Sequence, residues 1–493
     1  MRSSMDFARI MRWLTFVIWV CLTFWLTAHH ELWRDEADSW LLARDASWQK
    51  MFSILPNKGQ PPLWYILLKA ANAVGFGWRT MQGINLLAVC IAGWLLVFRS
   101  YFTILLVLPL LFSFHLSYEY PVIARNYGLG IFGLYLYAYC QNLDTRFAKS
   151  MRVLAQLLMC GSTVHFLALS LVLFAFRISE KLRTRTWDLI AFAKQEVAFI
   201  APFVFSILVL WPTGKGQFSS SLFDKFQSQN LRDSLANSLL PFDSPSAATM
   251  GLSLVCYWIA LSGSAKPWRA GAMFLAGAGV LEAIFCFKYY SEAPRHSGLL
   301  FIWLITVLWI NGLPVKSDRP YFSLLSRRSL APLVMWLISA WNLPIVVNVW
   351  QLEATRNFSD AHEAAKILNS ESMKNRPVVC WVPRNCLAIL PYLEGRRKFW
   401  YPEINREGTF EYWDAQSNTV HHRASITIDQ VIASTIPKFS NWGRQDGPLF
   451  VSNWRVPDPD KYGLKLVSPA KKTAWRILDE SFWIYGPQEM ETP

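Results

Sequence analysis

Asp35, Glu36 and Asp38 are closely spaced carboxylates in the segment HHELWRDEADSW at positions 29 to 40, which follows the first apolar stretch of the chain. If this segment is helical, Asp35 and Asp38 share a face, and Glu36 points about 100° away from Asp35. One carboxylate could therefore accept a proton from a substrate while another holds a basic partner. The alternative is a solvated acidic turn without a role in catalysis.

A second polar segment, NKGQPPLWYILLK at positions 57 to 69, contains Lys58 and Gln60. Its two prolines, Pro61 and Pro62, end any helix before them and are favourable at the start of a new one. The aromatic amphipathic run that follows is too short to cross a bilayer, so we expect it to lie in the membrane interface. The alternative is an ordinary interfacial anchor that takes no part in chemistry.

Two arginines stand where apolar stretches begin: Arg125, which follows Glu119, and Arg295, which precedes His296. A guanidinium at the depth of lipid headgroups needs an anion. That anion could be Glu119 or a phosphate group, because arginine binds phosphate through two parallel hydrogen bonds. For Arg295 and His296, the alternative is the aromatic and basic belt of many membrane interfaces.

The composition of the whole chain indicates a membrane protein. Of its 493 residues, 53% are hydrophobic, 25 are tryptophan and only 17% are charged, which is too apolar for one soluble core. The formal net charge is +14, but the Lys and Arg residues gather in short loops between apolar runs, as cytoplasmic loops require. The sequence therefore predicts an all-α polytopic membrane protein with no nucleic-acid partner.

The basic loops also predict the topology. The N-terminus is placed in the cytoplasm because Arg2, Arg9 and Arg12 precede the first span. The run at 153 to 176 lies between two basic loops, so we expect it to cross twice, as two short helices that turn near Gly161. With this hairpin, eleven spans are predicted, near residues 11–28, 81–98, 101–117, 126–142, 153–176 (two), 196–212, 248–263, 270–287, 298–312 and 330–350.

After the last span the chain becomes more polar, which divides it into a membrane domain at 1–350 and a second domain at 351–493. The second domain is predicted to be a small soluble α/β domain. It is expected in the periplasm, attached to the cytoplasmic membrane. Its predicted strands lie in PVVCWV, PLFVSN and AWRILDESFWIYG, and its predicted helix lies in DAHEAAKILNS.

Some cysteines and histidines have open roles. Cys380 and Cys386 lie in the outer domain, where an oxidising periplasm would allow a disulfide, and two free buried thiols are the alternative. The adjacent His421 and His422 have no further metal ligands nearby in sequence, so we interpret them as a loop rather than a metal site. His165, near the predicted hairpin turn, is interpreted as a polar packing residue.

Taken together, these segments suit a reaction that attacks an anionic lipid at the outer membrane face. An acceptor hydroxyl is a weak nucleophile, so a carboxylate must take its proton, and we assign this role to Asp35, with Glu36 beside it. Glu36 or Glu119 could orient cations or hold a divalent metal, although carboxylates alone do not indicate that a metal is required. Preorganised cations would stabilise a departing phosphate, and the candidates are Arg125, Arg295, His296 and Lys58.

The arrangement resembles the GT-C superfamily of integral membrane glycosyltransferases. It is most similar to the branch that contains protein O-mannosyltransferases and lipid A aminoarabinose transferases. The resemblance runs through residues 1 to 350 and is clearest before about residue 170. The matching segments are RDEA at 34–37, QPPLWY at 60–65, ARNYGL at 124–129 and the short hairpin around STVHF.

This resemblance implies that a sugar moves from a polyprenyl-phosphate-linked donor to a hydroxyl-bearing acceptor, with inversion at the anomeric carbon. Asp35 matches the catalytic carboxylate position of the family, and Glu36 matches its neighbour. Arg125 matches the arginine of the family's ARxY segment, and the loop of Arg295 and His296 matches one that approaches the lipid phosphate. Gln60 stands where many relatives have histidine, so neither proton transfer nor a metal contact is carried over to it. The residues expected to position substrate are Gln60, Glu119 and Tyr127.

Two other classes of protein could use such polar loops. A transporter or lipid flippase would use them as a gate, but such proteins bind cargo near the bilayer midplane, where this sequence has few ionisable residues. A structural assembly protein would use its outer domain to bind a partner. Transfer of a labelled sugar, as opposed to movement of an unchanged lipid, separates these classes from an enzyme.

Overall fold

A computed structural model gives the fold, which is mostly helical with a small sheet near the C-terminus. Statements about the structure concern the residues that it describes: 2–141, 143, 145–184, 189–211, 227–239, 245–287, 294–312, 327–381, 383–413, 427–469 and 473–488.

Four described helical stretches are long and apolar enough to cross a membrane. They are Phe7–His29 in α1 (Arg2–His29), α5 (Arg79–Arg99), α14 (Pro267–Phe287) and Pro332–Thr355 in α16 (Arg327–Thr355). A fifth span results if α6 (Ile104–Leu111) and the segment His115–Val122, bent by 62° from it, are counted as one. These helices are compatible with a membrane protein, but the predicted count of eleven spans is not confirmed.

The predicted span at 101 to 117 is broken in the structure. α6 ends at Leu111, and a π-helical segment, His115–Glu119, continues into the short helix α7 (Tyr120–Val122). Pro109 lies within α6 and Pro121 within α7. Since proline cannot donate the backbone hydrogen bond of a regular helix, these two residues disfavour one straight span.

Three short helices connect α1 to α5: α2 (Arg34–Asp45), α3 (Trp48–Lys58) and α4 (Leu63–Ala73). The acidic segment is helical in the structure, as α2, so the condition under which Asp35 and Asp38 share a face is met. The expected effect of the paired prolines is confirmed, because α3 ends at a left-handed Gly59 with φ of 62° and α4 begins directly after Pro62. With 11 residues, α4 is too short to span a bilayer.

The predicted break near Gly161 is confirmed, since α9 (Arg146–Ser162) ends where Thr163 adopts an extended conformation and α10 (Val164–Thr184) follows. α9 packs on α10 and on α8 (Tyr127–Cys140). Glycine permits the close approach of α8 and α9, because a Cβ on Gly133 would lie 2.8 Å from the carbonyl oxygen of Ala155.

The remaining helices of the bundle are α11 (Leu189–Leu210), α12 (Ser228–Asn237), α13 (Ala247–Ser262) and α15 (Pro294–Asn311). α15 is buried from His296 to Asn311, which makes it a central element of the bundle. It packs on α8, α12 and α14. Its first residues therefore have a well-defined position relative to the start of α8.

The C-terminal sheet confirms the predicted α/β character of this region. Its six strands have the order β3-β2-β1-β4-β6-β5, in which β1 pairs in parallel with β2 and β4 and the other pairs are antiparallel. The predicted helix is present as α17 (Ala361–Leu368). The strands are β1 (Val378–Cys380), β2 (Phe399–Tyr401), β3 (Arg406–Gly408), β4 (Leu449–Ser452), β5 (Leu464–Ser468) and β6 (Trp483–Pro487).

α2 connects the helical bundle to the sheet region. Its residues Ala37 and Leu41 are fully buried in the same apolar cluster as Leu390 and Phe399. Its residues Trp40 and Leu42 belong instead to the cluster of the bundle. The acidic helix is therefore held on both sides, and its N-terminal turn lies where the two regions meet.

Candidate functional site

Asp35, in the first turn of α2, meets three arginines from three distant segments. Its Oδ2 lies 3.2 Å from Nη1 of Arg125, in the loop before α8, and 3.1 Å from Nη2 of Arg295, in the first turn of α15. Its Oδ1 lies 3.4 Å from Nη2 of Arg384, which belongs to the sheet region. The structure thus brings Asp35 together with both arginines named from the sequence and adds a third.

These contacts determine the charge state of Asp35. Burial alone would raise the pKa of its carboxyl group, but the positive charges of Arg125, Arg295 and Arg384 outweigh burial and lower the pKa far below its usual range. The side chain is only 13% exposed, so solvent screens these interactions weakly. Three guanidinium groups face one carboxylate, and the cluster carries excess positive charge.

Arg384 was not identified from the sequence. It lies in a short helical turn, α18 (Pro383–Cys386), within a loop that a disulfide between Cys380 and Cys386 closes. The Cα atoms of the two cysteines are 6.4 Å apart, which is within the range of ordinary disulfides. Of the two alternatives for these cysteines, the structure therefore has the disulfide. An arginine between two closely spaced cysteines was the available sequence signal.

Glu36 points away from Asp35 into a buried network. Its Oε2 lies 2.9 Å from Nε2 of His30, and the other ring nitrogen of His30 lies 2.8 Å from Oε1 of Glu353. The remaining oxygens also accept hydrogen bonds, from the Ala124 amide at 2.6 Å and from the Tyr118 hydroxyl at 2.7 Å. Because both carboxylates act only as acceptors, both nitrogens of the His30 ring must donate.

His30 is therefore an imidazolium between two carboxylates. Burial alone would lower its pKa, but Glu36 and Glu353 outweigh burial and raise the pKa to about 10. Through the amide of Ala124, the network holds the residue that directly precedes Arg125. Glu36 thus acts on the cluster by fixing the backbone beside Arg125. The sequence placed both residues in one acidic segment but assigned no role to His30.

Lys58 forms a buried ion pair with Asp38, one helical turn after Asp35. Its ammonium group also lies 5.2 Å from the ring centre of Tyr65 and 5.6 Å from that of Trp413. Trp413 comes from the sheet region, so this region covers both ion-pair sites of α2. A contact between Lys58 and phosphate stays a prediction.

Gln60 supports the arginine loop from the side of α4. Its Oε1 accepts a hydrogen bond of 2.5 Å from Nδ2 of Asn126, which also donates to the Ser162 carbonyl oxygen at 2.7 Å. Asn126 directly follows Arg125. Gln60 therefore helps to hold the loop in place, and direct contact with substrate stays a prediction.

Glu119, Tyr127 and His296 lie deeper in the bundle. Glu119 is 4% exposed, and the carboxylate in contact with Arg125 is Asp35. The ring of His296 lies 5.5 Å from that of His165 and 6.2 Å from that of Tyr127. These rings form a packed layer behind the start of α15, and their expected roles in phosphate binding or substrate positioning stay predictions.

A polar cavity of about 940 Å³ has Pro294, the residue before Arg295, in its wall, whereas the side chains of the arginine cluster do not line it. This volume is typical of small-molecule sites. The polar residues that line the cavity are Gln229, Arg232, Asp233, Asn237, Asn348 and Arg476. Two buried atoms of its wall, the Oδ1 of Asn237 and the Nε1 of Trp475, have no hydrogen-bond partner in the described part of the chain.

A metal site is not apparent in the described residues, which contain no group of three or more His, Cys, Asp or Glu side chains that could hold an ion. His421 and His422 lie outside the described residues. That no divalent metal is required, although one could be held, stays a prediction. In comparisons with known proteins, no family model, no curated protein and no solved structure matches the chain.

Proposed function

We propose that the protein is a membrane glycosyltransferase that moves a sugar from a polyprenyl-phosphate donor to an acceptor hydroxyl. The observation that carries this proposal is the cluster of Asp35 with Arg125, Arg295 and Arg384 where the apolar bundle meets the sheet region. A carboxylate can act as a base, and converging guanidiniums can bind phosphate. Transfer of a sugar from a lipid phosphate requires both a base and a phosphate-binding group in one site.

In the proposed reaction, the carboxylate of Asp35 accepts the proton of the acceptor hydroxyl as the oxygen attacks the anomeric carbon. A new bond forms between that oxygen and the sugar, while the bond between the anomeric carbon and the phosphate oxygen breaks. The bonding electrons leave with the polyprenyl phosphate. Attack from the face opposite to the phosphate gives inversion.

The arginines stabilise the negative charge that develops on the phosphate. They are preorganised for this, because Glu36 and Gln60 hold the loop of Arg125 and the hydroxyl of Tyr120 donates to the Arg295 carbonyl oxygen at 3.0 Å. Donors fixed before the reaction stabilise a transition state without the cost of reorganisation.

The acceptor is proposed to approach from the polar cavity beside Arg295. Guanidinium, carboxylate and amide groups together suit a hydroxyl-rich acceptor, such as a glycan, a lipid headgroup or a protein side chain. The sheet region is proposed to lie in the periplasm and the bundle in the cytoplasmic membrane. The proposed catalytic groups are all side chains of this chain, and a divalent metal could assist them.

The test uses inverted and right-side-out membrane vesicles that contain the full chain and a polyprenyl phosphate with a labelled sugar. We expect the label on a new acceptor with the wild type, and a loss of about 10²- to 10⁴-fold with Asp35→Asn. Asp45→Asn is the matched control, because Asp45 lies on the same helix but pairs with Arg44.

Two outcomes would contradict the proposed function. Movement of an unchanged labelled lipid across the membrane, without transfer, would indicate a transporter or flippase. Wild-type transfer by Asp35→Asn would remove this carboxylate from the mechanism. Where transfer is observed, mass spectrometry of glycolipids and glycoproteins from a deletion strain identifies the sugar and the acceptor together.

A further inference from the structure

Resting on the proposed function, we propose that Asp35 and the donor phosphate compete for the same three arginines. The carboxylate occupies the anion site while the donor is absent. Phosphate binding then frees Asp35 to act as the base. Donor binding would therefore precede activation of the acceptor.

The first argument is the convergence of the cations. Three guanidiniums from the loop before α8, the start of α15 and the turn α18 lie within 3.1 to 3.4 Å of the two oxygens of Asp35. A phosphate group has more acceptor oxygens than a carboxylate and can satisfy several guanidinium groups at once. The same arrangement therefore suits a phosphate better than it suits the carboxylate.

The second argument is the charge balance around the cluster. Asp38 and Asp479 have partners of their own, since Asp38 pairs with Lys58, and Asp479 lies 2.5 Å from Arg34. Glu411 also lies near Arg384, and burial raises the pKa of its carboxyl group to about 8, which favours its neutral form. Glu36 and Glu353 share the proton-bearing ring of His30. Within the described contacts, one carboxylate faces three guanidiniums, so the cluster favours a ligand with more negative charge than a carboxylate, such as a phosphate.

The third argument is the chemistry required of Asp35. A carboxylate held by three cations is a weak base, because those cations favour its charged form. An effective general base must lose part of that stabilisation before it accepts a proton. If the phosphate draws the arginines to itself, the basicity of Asp35 increases at the moment when the donor is in place.

The three arginines differ in their freedom to follow a phosphate. The side chain of Arg384 is 41% exposed, compared with 15% for Arg125 and 21% for Arg295. Arg384 also makes the longest of the three contacts. We therefore expect Arg384 to transfer most readily from the carboxylate to the phosphate, which would give the sheet region a direct role in donor binding.

The test measures the affinity of the purified full chain in nanodiscs for undecaprenyl phosphate. If Asp35 were a general base that did not compete with phosphate, its substitution would leave this affinity unchanged. If Asp35 competes, Asp35→Asn binds undecaprenyl phosphate at least about tenfold more tightly than the wild type. Asp45→Asn, which removes the same charge from the same helix, should bind as the wild type does. Arg384→Gln should weaken binding and should remove most of the gain when combined with Asp35→Asn.

A second measurement covers the case in which the Asp35→Asn protein is unstable because three cations lose their anion. Inorganic phosphate should then raise its unfolding temperature more than that of the wild type. Equal or weaker lipid binding by Asp35→Asn, or no extra stabilisation by phosphate, would overturn the competition and leave the proposed function intact. A folded wild type that binds no undecaprenyl phosphate would overturn both.

Discussion

At the scale of single residues, the site depends on which carboxylate has which partner. Asp35 and Glu36 are adjacent in sequence but point to different surroundings on α2. Asp35 reaches the arginines, whereas Glu36 reaches His30 and the backbone amide of Ala124. In the proposed function, the first accepts a proton, whereas the second holds the loop that carries Arg125 through the Ala124 amide.

His30 gives a prediction about stability and pH. Its pKa of about 10 in the folded protein exceeds its ordinary value of 6.5, so its protonated form is stabilised by folding. This stabilisation is fully present below pH 6.5 and is lost as the pH rises through about 10. We expect the unfolding temperature of the wild type to fall across this interval.

The variant His30→Gln should show a smaller fall over the same interval, because a neutral amide does not titrate. The measurement is thermal unfolding of both proteins in one detergent at a series of pH values. An equal pH dependence in the two proteins would show that His30 is not the group responsible.

At the scale of secondary-structure elements, the site is built from the ends of helices rather than from their centres. Asp35 lies in the first turn of α2, Arg295 lies in the first turn of α15, and Arg125 comes two residues before α8. Backbone amides at helix N-termini favour negative charge, which adds to the anion-binding character of the cluster. The position of Arg384 depends instead on the disulfide that closes its loop.

Removal of that disulfide gives a prediction at this scale. The double variant Cys380→Ser with Cys386→Ser should bind undecaprenyl phosphate more weakly, because the loop no longer fixes Arg384 near Asp35. Stability should fall by about 2 kcal/mol, as expected for a cross-link that closes so short a loop.

Affinity and unfolding should be measured with and without a reductant. Reductant should weaken binding by the wild type and have no further effect on the double variant. A double variant that retains wild-type affinity would show that the disulfide has no part in presenting Arg384.

At the scale of the whole molecule, the sheet region and the bundle share one site. α2 contributes Ala37 and Leu41 to the apolar core of the sheet region. The sheet region in turn places Arg384 against Asp35 of α2 and Trp413 against Lys58. α2 and the sheet region are therefore expected to lie on the same side of the membrane.

This arrangement predicts which side is accessible to reagents. Ser440 is an exposed residue of the sheet region. Ser179 is an exposed residue near the basic C-terminal end of α10. A membrane-impermeant maleimide should label Ser440→Cys in intact spheroplasts and should label Ser179→Cys only after permeabilisation. The reverse pattern would invert the proposed orientation.

Local patterns in the sequence were enough to predict the effect of the paired prolines, the break near Gly161 and the α/β character of the C-terminal region. These features depend on periodicity and on backbone restrictions, which act within a few residues. The span count of eleven is not confirmed, and the predicted span at 101 to 117 is divided where α6 ends at Leu111 and a new segment begins at His115. Apolar composition alone does not reveal such a division.

Only the tertiary structure decided the partners of the charged groups. The sequence named Asp35, Arg125 and Arg295 as candidates, but it left Glu119 or phosphate as the anion of Arg125 and did not identify Arg384. Contacts between residues 35 and 384 depend on how α2 packs against the sheet region, and the sequence carries no short-range signal for such packing. The physical reason is that a side chain's residue type sets its chemistry, whereas its charge partners are set by elements that meet only after folding.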